Sequence, residues 1–239
     1  AGFGPATGGS NPPAPTRQNL FPNARDGLDN RMSIGAVVLA AGQGTRMRSA
    51  LPKVAHGLAG RPMVQWVLDA LGDAGVAHTV VVVGHGAEIV RETLPSEVGV
   101  TIQHEQLGTG HAAQVGLAAL DPGCDTVVVA CGDTPLLPSA LVARLVAEHV
   151  SEPRAATMLT AVVPDAGSYG RVVRAPDGRV AKVVEARDAS PQELAIGEYN
   201  AGLYAFDRAA LEEVLGRLDS SNAQGEIYLT DALERIEGP

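Results

Sequence analysis

Cysteine is almost missing from this chain of 239 residues, with only Cys124 and Cys131 present. If both lie along the apolar run Thr126 to Ala130, they stand roughly 20 Å apart at about 3.3 Å per residue, too far for a bridge within the strand. Such scarcity fits a reducing cytoplasm, and both thiols read as small buried hydrophobes without chemistry. Also missing is any run of roughly 18 apolar residues that could span a membrane, or the apolar stretch of a secretory signal. Basic residues are few: 18 Lys and Arg against 27 Asp and Glu give a formal net charge of −9. Without clustered cations, extended nucleic acid is excluded as a partner, whereas a small anionic substrate needs only local positive charge.

What is present suffices for a core, since 45% of residues are hydrophobic and 19% charged, the balance of one large α/β domain or two small ones. Residues 1–31 are rich in Gly, Pro and Asn, which predicts a disordered leader ahead of a structured domain over 32–239. From Ile34 onward, short Val-rich runs alternate with segments of helical period, the pattern of βαβ units around a parallel sheet. Strands are expected at Ile34–Leu39, Thr79–Val83, Val100–Ile102 and Thr126–Ala130. Helices are expected after Pro62, at Ala87–Leu94, at Gly110–Leu120, and at Ser139–His149 with Pro138 and Ser139 as start signals. Beyond about residue 155, the runs Thr157–Val163, Arg171–Arg174, Val180–Ala186 and Leu203–Phe206 predict a mixed sheet edge or substrate lobe. Ala175-Pro-Asp-Gly178 marks a hairpin turn, because Pro176 fixes φ and Gly178 accepts a positive one.

The segment Leu39-Ala40-Ala41-Gly42-Gln43-Gly44-Thr45-Arg46-Met47 follows the first strand directly. There it forms a small-residue loop where open α/β sheets bind ligands. Gly42 and Gly44 let backbone N–H groups approach phosphate oxygens, Arg46 offers a bidentate fork, and Lys53 a point charge. Two glycines alone read rather as a tight strand-to-helix turn with an ordinary surface Arg, and the residues that follow reverse that balance. The P-loop spacing and the three-glycine dinucleotide fingerprint are both absent, which disfavours a generic NTPase or dehydrogenase.

With the Pro52-Lys53 pair behind it, this loop resembles the signature of the sugar-nucleotidyltransferases. Within that family the resemblance is to the uridylyltransferase half of the bacterial bifunctional N-acetylglucosamine-1-phosphate uridylyltransferase and glucosamine-1-phosphate acetyltransferase. The resemblance implies a Rossmann-like, doubly wound, mostly parallel sheet with a mixed-sheet sugar-binding lobe. It also implies that Leu39, Ala40, Ala41, Gly42, Gly44, Thr45 and Lys53 hold nucleotide, with Arg46 and Lys53 catalytic. Gln103 and Gly108-Thr109, in Gln103-His-Glu-Gln-Leu-Gly-Thr-Gly-His-Ala112, would meet the uracil. Alone, that stretch reads also as a helix N-terminal turn, and His111 is given no role. In Cys131-Gly132-Asp133-Thr-Pro-Leu136, Asp133 would bind the Mg²⁺ that bridges the phosphates, although an Asp before Thr-Pro is ordinarily a turn former. Gly170 of Tyr169-Gly-Arg171 would make room near an acetamido group, while Glu185 and Asn200 would hold sugar hydroxyls. Their plain alternatives are a bulge, a solvated strand face and a turn. Asn222 to Asp231 is also characteristic, and is expected to open a helix beneath the site.

The resemblance runs from about Ile34 to Asp231, and the family continues past that point. Its second magnesium ligand, an Asn, and its β-helix acetyltransferase domain lie beyond Pro239, so acetyl transfer is not expected and a monomer is. The implied reaction joins UTP and N-acetylglucosamine 1-phosphate into UDP-N-acetylglucosamine and pyrophosphate. Two rivals stand beside it: a thymidylyl-, cytidylyl- or molybdopterin guanylyltransferase sharing the loop, and a sugar-nucleotide-binding module with little turnover.

Overall fold

A computed structural model describes residues 33–44, 47–222 and 224–236. The expected leader, Thr45 and Arg46 lie outside them. In chain order the elements are β1 (Ile34–Ala40), β2 (Gly57–Leu58), β3 (Arg61–Pro62), α1 (Met63–Asp73), β4 (His78–Val83), α2 (Ala87–Glu92), β5 (Gly99–Ile102), α3 (Thr109–Ala119) and β6 (Thr126–Cys131). Then come α4 (Ser139–Val150), β7 (Ala156–Val162), β8 (Arg171–Arg174), β9 (Val180–Val184), α5 (Pro191–Leu194), β10 (Glu198–Asp207), α6 (Arg208–Leu215) and α7 (Asp231–Arg235).

Period-two alternation along the strands builds the core. Ala36, Val38 and Ala40 of β1 join Val81, Val83, Val128, Ala130, Leu203 and Ala205 on one face of the sheet. Against that face pack Val64, Val67 and Leu71 of α1 with Val142 and Val146 of α4. Val37, Val80, Val82, Val127, Val129, Tyr204 and Phe206 point the other way, where Ala113 and Leu117 of α3 and Leu211 and Val214 of α6 cover them. Strands carrying apolar residues on both faces are what a sheet sandwiched between helical layers demands. α3 lies close to the sheet because Gly116 has no side chain: a Cβ there would stand 2.3 Å from Val37 Cγ1.

The sheet runs β5-β4-β1-β6-β10-β8-β9, with β7 also paired to β10. Its β5, β4, β1 and β6 ladders are parallel, while β10 runs antiparallel to β6, β7 and β8. The fold is therefore the mixed α/β sheet with a parallel core that the sequence predicts. The expected hairpin forms between β8 and β9, with Gly178 at φ 85° donating its N–H to Ala175 O at 2.9 Å.

Several boundaries differ from expectation. Leu203–Phe206 is only the inner half of β10, which begins at Glu198. The register on β7 shifts between Asn200 and Tyr204, and Gly202 there has φ 74°, so the alternation that reveals a strand is broken midway. Ser139 is the first helical residue of α4 and Pro138 its N-cap, without a side-chain capping bond. Pro62 likewise precedes α1 as its N-cap. Asp231 begins α7, so the Asn222–Asp231 stretch leads into that helix at its last residue. Cys124 and Cys131 are free. No helix among the described residues is long and apolar enough to cross a membrane.

Two outcomes follow from this packing. Gly116→Val is expected to lower stability by about 1–3 kcal/mol through overpacking, read as a fall in the denaturant midpoint. An unchanged midpoint would show that α3 can lift from the sheet without loss. The second concerns His149, which is buried with Nδ1 3.0 Å from Thr157 Oγ1. Burial pushes its imidazole below the ordinary 6.5, Arg154 adding to the effect and Asp207 opposing it. The unfolded chain therefore takes a proton that the folded one resists, and stability is lost as the pH falls through 6.5 toward the lower folded value. His149→Gln should flatten the decline in Tm between about pH 7 and about pH 5, and an equally steep decline would assign the acid sensitivity elsewhere.

Candidate functional site

From β1 the chain moves to β4 on one side, and after β5 it crosses back to β6 on the other. The loops leaving β1 and β6 thus part at a switch point, the place where open α/β sheets accommodate ligands. One hydrogen bond extends the ladder beyond the strands, from Gly132 N–H to Leu39 O at 2.9 Å. A Cβ at Gly132 would stand 3.2 Å from that same oxygen and from Val54 Cγ1. Gly44 has φ 63°, and a Cβ there would lie 2.6 Å from Lys53 Cβ, so only glycine allows the loop and Lys53 to lie together. Lys53 opens a short 3-10 turn, Lys53–Ala55, and its ammonium is ion-paired with Asp133 Oδ2.

These groups border a cavity of about 610 Å³. It brings together Leu39, Ala40, Ala41, Gly42, Gly44 and Lys53 with Gln103, Gly108, Thr109 and Asp133. Gln103 is 4% exposed and is pinned by its N–H to Val83 O at 2.8 Å and by Nε2 donating to Gly108 O at 3.0 Å. Its amide orientation is thereby set, with Oε1 left as the acceptor. His111 Nδ1 stands 2.9 Å from Glu105 O, a structural contact within the same loop.

A returning segment clamps this loop. Gly110 N–H donates to Ile227 O and Ile227 N–H to Leu107 O, both at 2.7 Å, while Leu229 N–H donates to Thr109 Oγ1 at 3.0 Å. That hydroxyl accepts this bond and still has its own proton to donate. Gly108 has φ 112°, and a Cβ on it would fall 2.5 Å from Ile227 O.

Gly132, Gly170, Glu185 and Asn200 do not line the cavity. The last three form a cluster of their own: Asn200 N–H donates to Gly170 O at 2.9 Å, and a Cβ on Gly170 would lie 3.3 Å from Glu185 Oε1. Asn200 sits within β10 rather than in a turn, its Nδ2 donating to the Tyr204 hydroxyl at 2.6 Å and its Oδ1 accepting from Gly202 N–H at 3.0 Å. Burial pushes the Glu185 carboxyl above the usual range, opposed by a hydrogen bond from Thr230. Burial raises the Tyr204 phenol as well, with Cys131 adding to it. Cys131 joins the two groups, lining the cavity while lying 3.2 Å from the Cβ position of Gly202. Burial first, and then the Asp133 carboxylate, pushes its thiol up to about 12, which leaves it inert as a nucleophile.

Among the lining residues that sequence reasoning did not single out are Gln106, Cys131, Arg187 and Glu226. All but Arg187 lie inside segments that carry the resemblance, whereas Arg187 had no motif to reveal it. As for a metal, no group of three or more His, Cys, Asp or Glu side chains is poised to hold one among the described residues. A sparse set of cavity carboxylates, Asp133 and Glu226, suits magnesium, which takes most of its oxygens from phosphate and water, and does not suit zinc.

Comparison with known proteins agrees with this fold. The family model described as MobA-like NTP transferase domain matches residues 36–214. A protein of Exiguobacterium sp. named Bifunctional protein GlmU is 50% identical over 198 residues, 83% of this chain and 44% of its own length. One of the same name from Trichlorobacter lovleyi is 50% identical over 198 residues, covering 82% and 43%. The chain thus spans less than half the length of these relatives. Among solved structures, a UDP-glucose pyrophosphorylase complexed with UDP-glucose superposes with a TM-score of 0.66 at 18% identity, over 87% of this chain and 89% of that one. HddC from Yersinia pseudotuberculosis gives 0.64 at 22%, over 85% and 87%. Both similarities establish the fold.

The clamp on the Gly108 loop can be tested directly. Gly108→Ala is expected to cost about 1–3 kcal/mol from the disfavoured φ and the clash with Ile227, with faster amide exchange at Gly110 and Ile227. Unaltered exchange at those two amides would mean that the contact does not hold the loop.

Proposed function

The chain belongs to the MobA-like NTP transferase domain family, and from that premise we propose that it is a uridylyltransferase forming UDP-N-acetylglucosamine and pyrophosphate from UTP and N-acetylglucosamine 1-phosphate. One observation carries the reading: a glycine loop, a Lys53–Asp133 pair and the buried Gln103 amide converge on a single cavity in a chain half identical to GlmU proteins. A rival specific for cytosine or guanine would need a different amide pattern where Gln103, Gly108 and Thr109 stand. The same reading takes the protein as acting in the cytoplasm on small phosphorylated substrates.

The backbone from Leu39 to Gly44, with Thr45, would cradle the triphosphate, while Gln103, Gly108 and Thr109 hold the uracil edge. Gly132 keeps the two loops in contact. Gly170, Glu185 and Asn200 would take the sugar, the first leaving space and the others meeting hydroxyls. An oxygen of the sugar phosphate then attacks the α-phosphorus in line, and the bond to the bridging oxygen of the β-phosphate breaks. Pyrophosphate leaves with that bonding pair. No general base is required, because the attacking oxygen is already ionised. Lys53, and Arg46 from the loop, would lie against the departing pyrophosphate, the kind of positioning and charge stabilisation on which such transfers depend. Asp133 is the side chain suited to hold Mg²⁺, which when bound would neutralise phosphate charge. The modest strength of the Lys53–Asp133 pair, about 1 kcal/mol or less for partly exposed groups, lets both side chains turn to substrate at little cost.

A nucleotide panel tests the assignment through pyrophosphate release. Turnover with UTP and Mg²⁺ is expected to exceed that with GTP, CTP or dTTP and to stop on chelation. Asp133→Asn and Lys53→Ala should each reduce kcat by roughly 100-fold or more. Turnover with GTP or CTP but none with UTP would overturn the base assignment, and tight UDP-sugar binding without pyrophosphate release would identify a binding module.

A further inference from the structure

Arg187 is the cationic group at the cavity to which the proposed reaction gives no task. It follows Glu185 by two residues in a turn closed by Asp188 N–H donating to Glu185 O at 2.9 Å, and its side chain lines the cavity wall. Lys53 and Arg187 are the cationic side chains bordering the cavity among the described residues. They differ in situation: Lys53 is ion-paired with Asp133 beside the glycine loop, whereas Arg187 projects from the lobe that carries Glu185. Arg187 Nη1 donates to Gln224 Oε1 at 2.9 Å. A neutral amide fixes a guanidinium without cancelling its charge. Glu226 borders the cavity from the same returning segment, yet the recorded hydrogen bond of Arg187 goes to the amide.

The chemistry supplies a task for such a group. Joining a phosphate monoester to a triphosphate brings two anions into contact, so the acceptor needs a counter-charge on its own side as well as the one near the triphosphate. A planar guanidinium fork matches phosphate oxygens in pairs, with a directional fit that an ammonium cannot reproduce. We infer that Arg187 binds the phosphate of the incoming sugar 1-phosphate and aligns its attacking oxygen, with Gln224 holding the fork in place. This rests on the nucleotidyltransferase reading of the site and adds to it a residue that discriminates phosphorylated from unphosphorylated sugar.

The test compares the full chain with Arg187→Gln and Arg187→Lys. For Arg187→Gln, KM for N-acetylglucosamine 1-phosphate is expected to rise roughly 10- to 100-fold. KM for UTP and inhibition by unphosphorylated N-acetylglucosamine should stay within about twofold of the parent, and Arg187→Lys should restore part of the acceptor affinity. An unchanged acceptor KM would overturn the inference. So would a parallel loss toward UTP and unphosphorylated sugar, since that would make Arg187 a structural tie to Gln224. If the parent releases no pyrophosphate with any nucleotide, the functional reading fails separately. Calorimetric titration of N-acetylglucosamine 1-phosphate then decides on Arg187, and equal affinity for parent and Arg187→Gln would end the proposal.

Discussion

The hydrogen bond from Gly132 N–H to Leu39 O is the constraint on which the candidate site depends. Parallel pairing of β1 with β6 sets Leu39 opposite Cys131, and this bond carries the pairing one residue beyond β6. The glycine loop and Asp133 therefore emerge side by side from a rigid ladder and do not meet by chance among mobile loops. Each neighbouring adaptation keeps that junction narrow. Gly44 yields space to Lys53, and Gly132 yields space to Val54. Rigid strands below and small residues above are the arrangement in which backbone N–H groups can approach a phosphate closely.

Electrostatics at the junction is balanced at low energy. The net charge of −9 works against an anionic ligand at long range, though beyond roughly 10 Å salt screens most of that field. What counts is therefore local, and locally two cations border the cavity. Lys53 is satisfied by Asp133, and Arg187 is tethered to an uncharged amide. The carboxyl of Glu185 is held above its usual range by burial.

Much of this was legible in the sequence for plain reasons. Alternating valines on β1, β4 and β6 have partners on both faces, so their periodicity survives folding intact. The glycine loop after β1 could be read because Gly44 answers to local geometry, a positive φ and a close approach to Lys53. β10 was read only in part, because Asn200 and Gly202 serve a register shift and interrupt the pattern by which strands are recognised. The cavity's far wall was the least legible. Arg187 reaches it only through the β8–β9 hairpin and the segment carrying Gln224, a placement set by tertiary packing with no local spacing to betray it. The separation of Gly170, Glu185 and Asn200 from the cavity lining has the same origin: Cys131 and Tyr204 stand between, brought there by β10 pairing with β6.

The bonds linking Leu107 and Gly110 to Ile227 bear on how the molecule is made. A ribosome delivers the loop that precedes α3 more than one hundred residues before its clamp. The parallel strands up to β6 have their ladders available early in synthesis, and domains fold as the chain emerges. The pocket around Gln103 must wait for the last part of the described chain to emerge. A nascent polypeptide stalled short of Ile227 would carry the sheet yet leave its ligand cleft unfinished, which ties the acquisition of binding to the emergence of that segment.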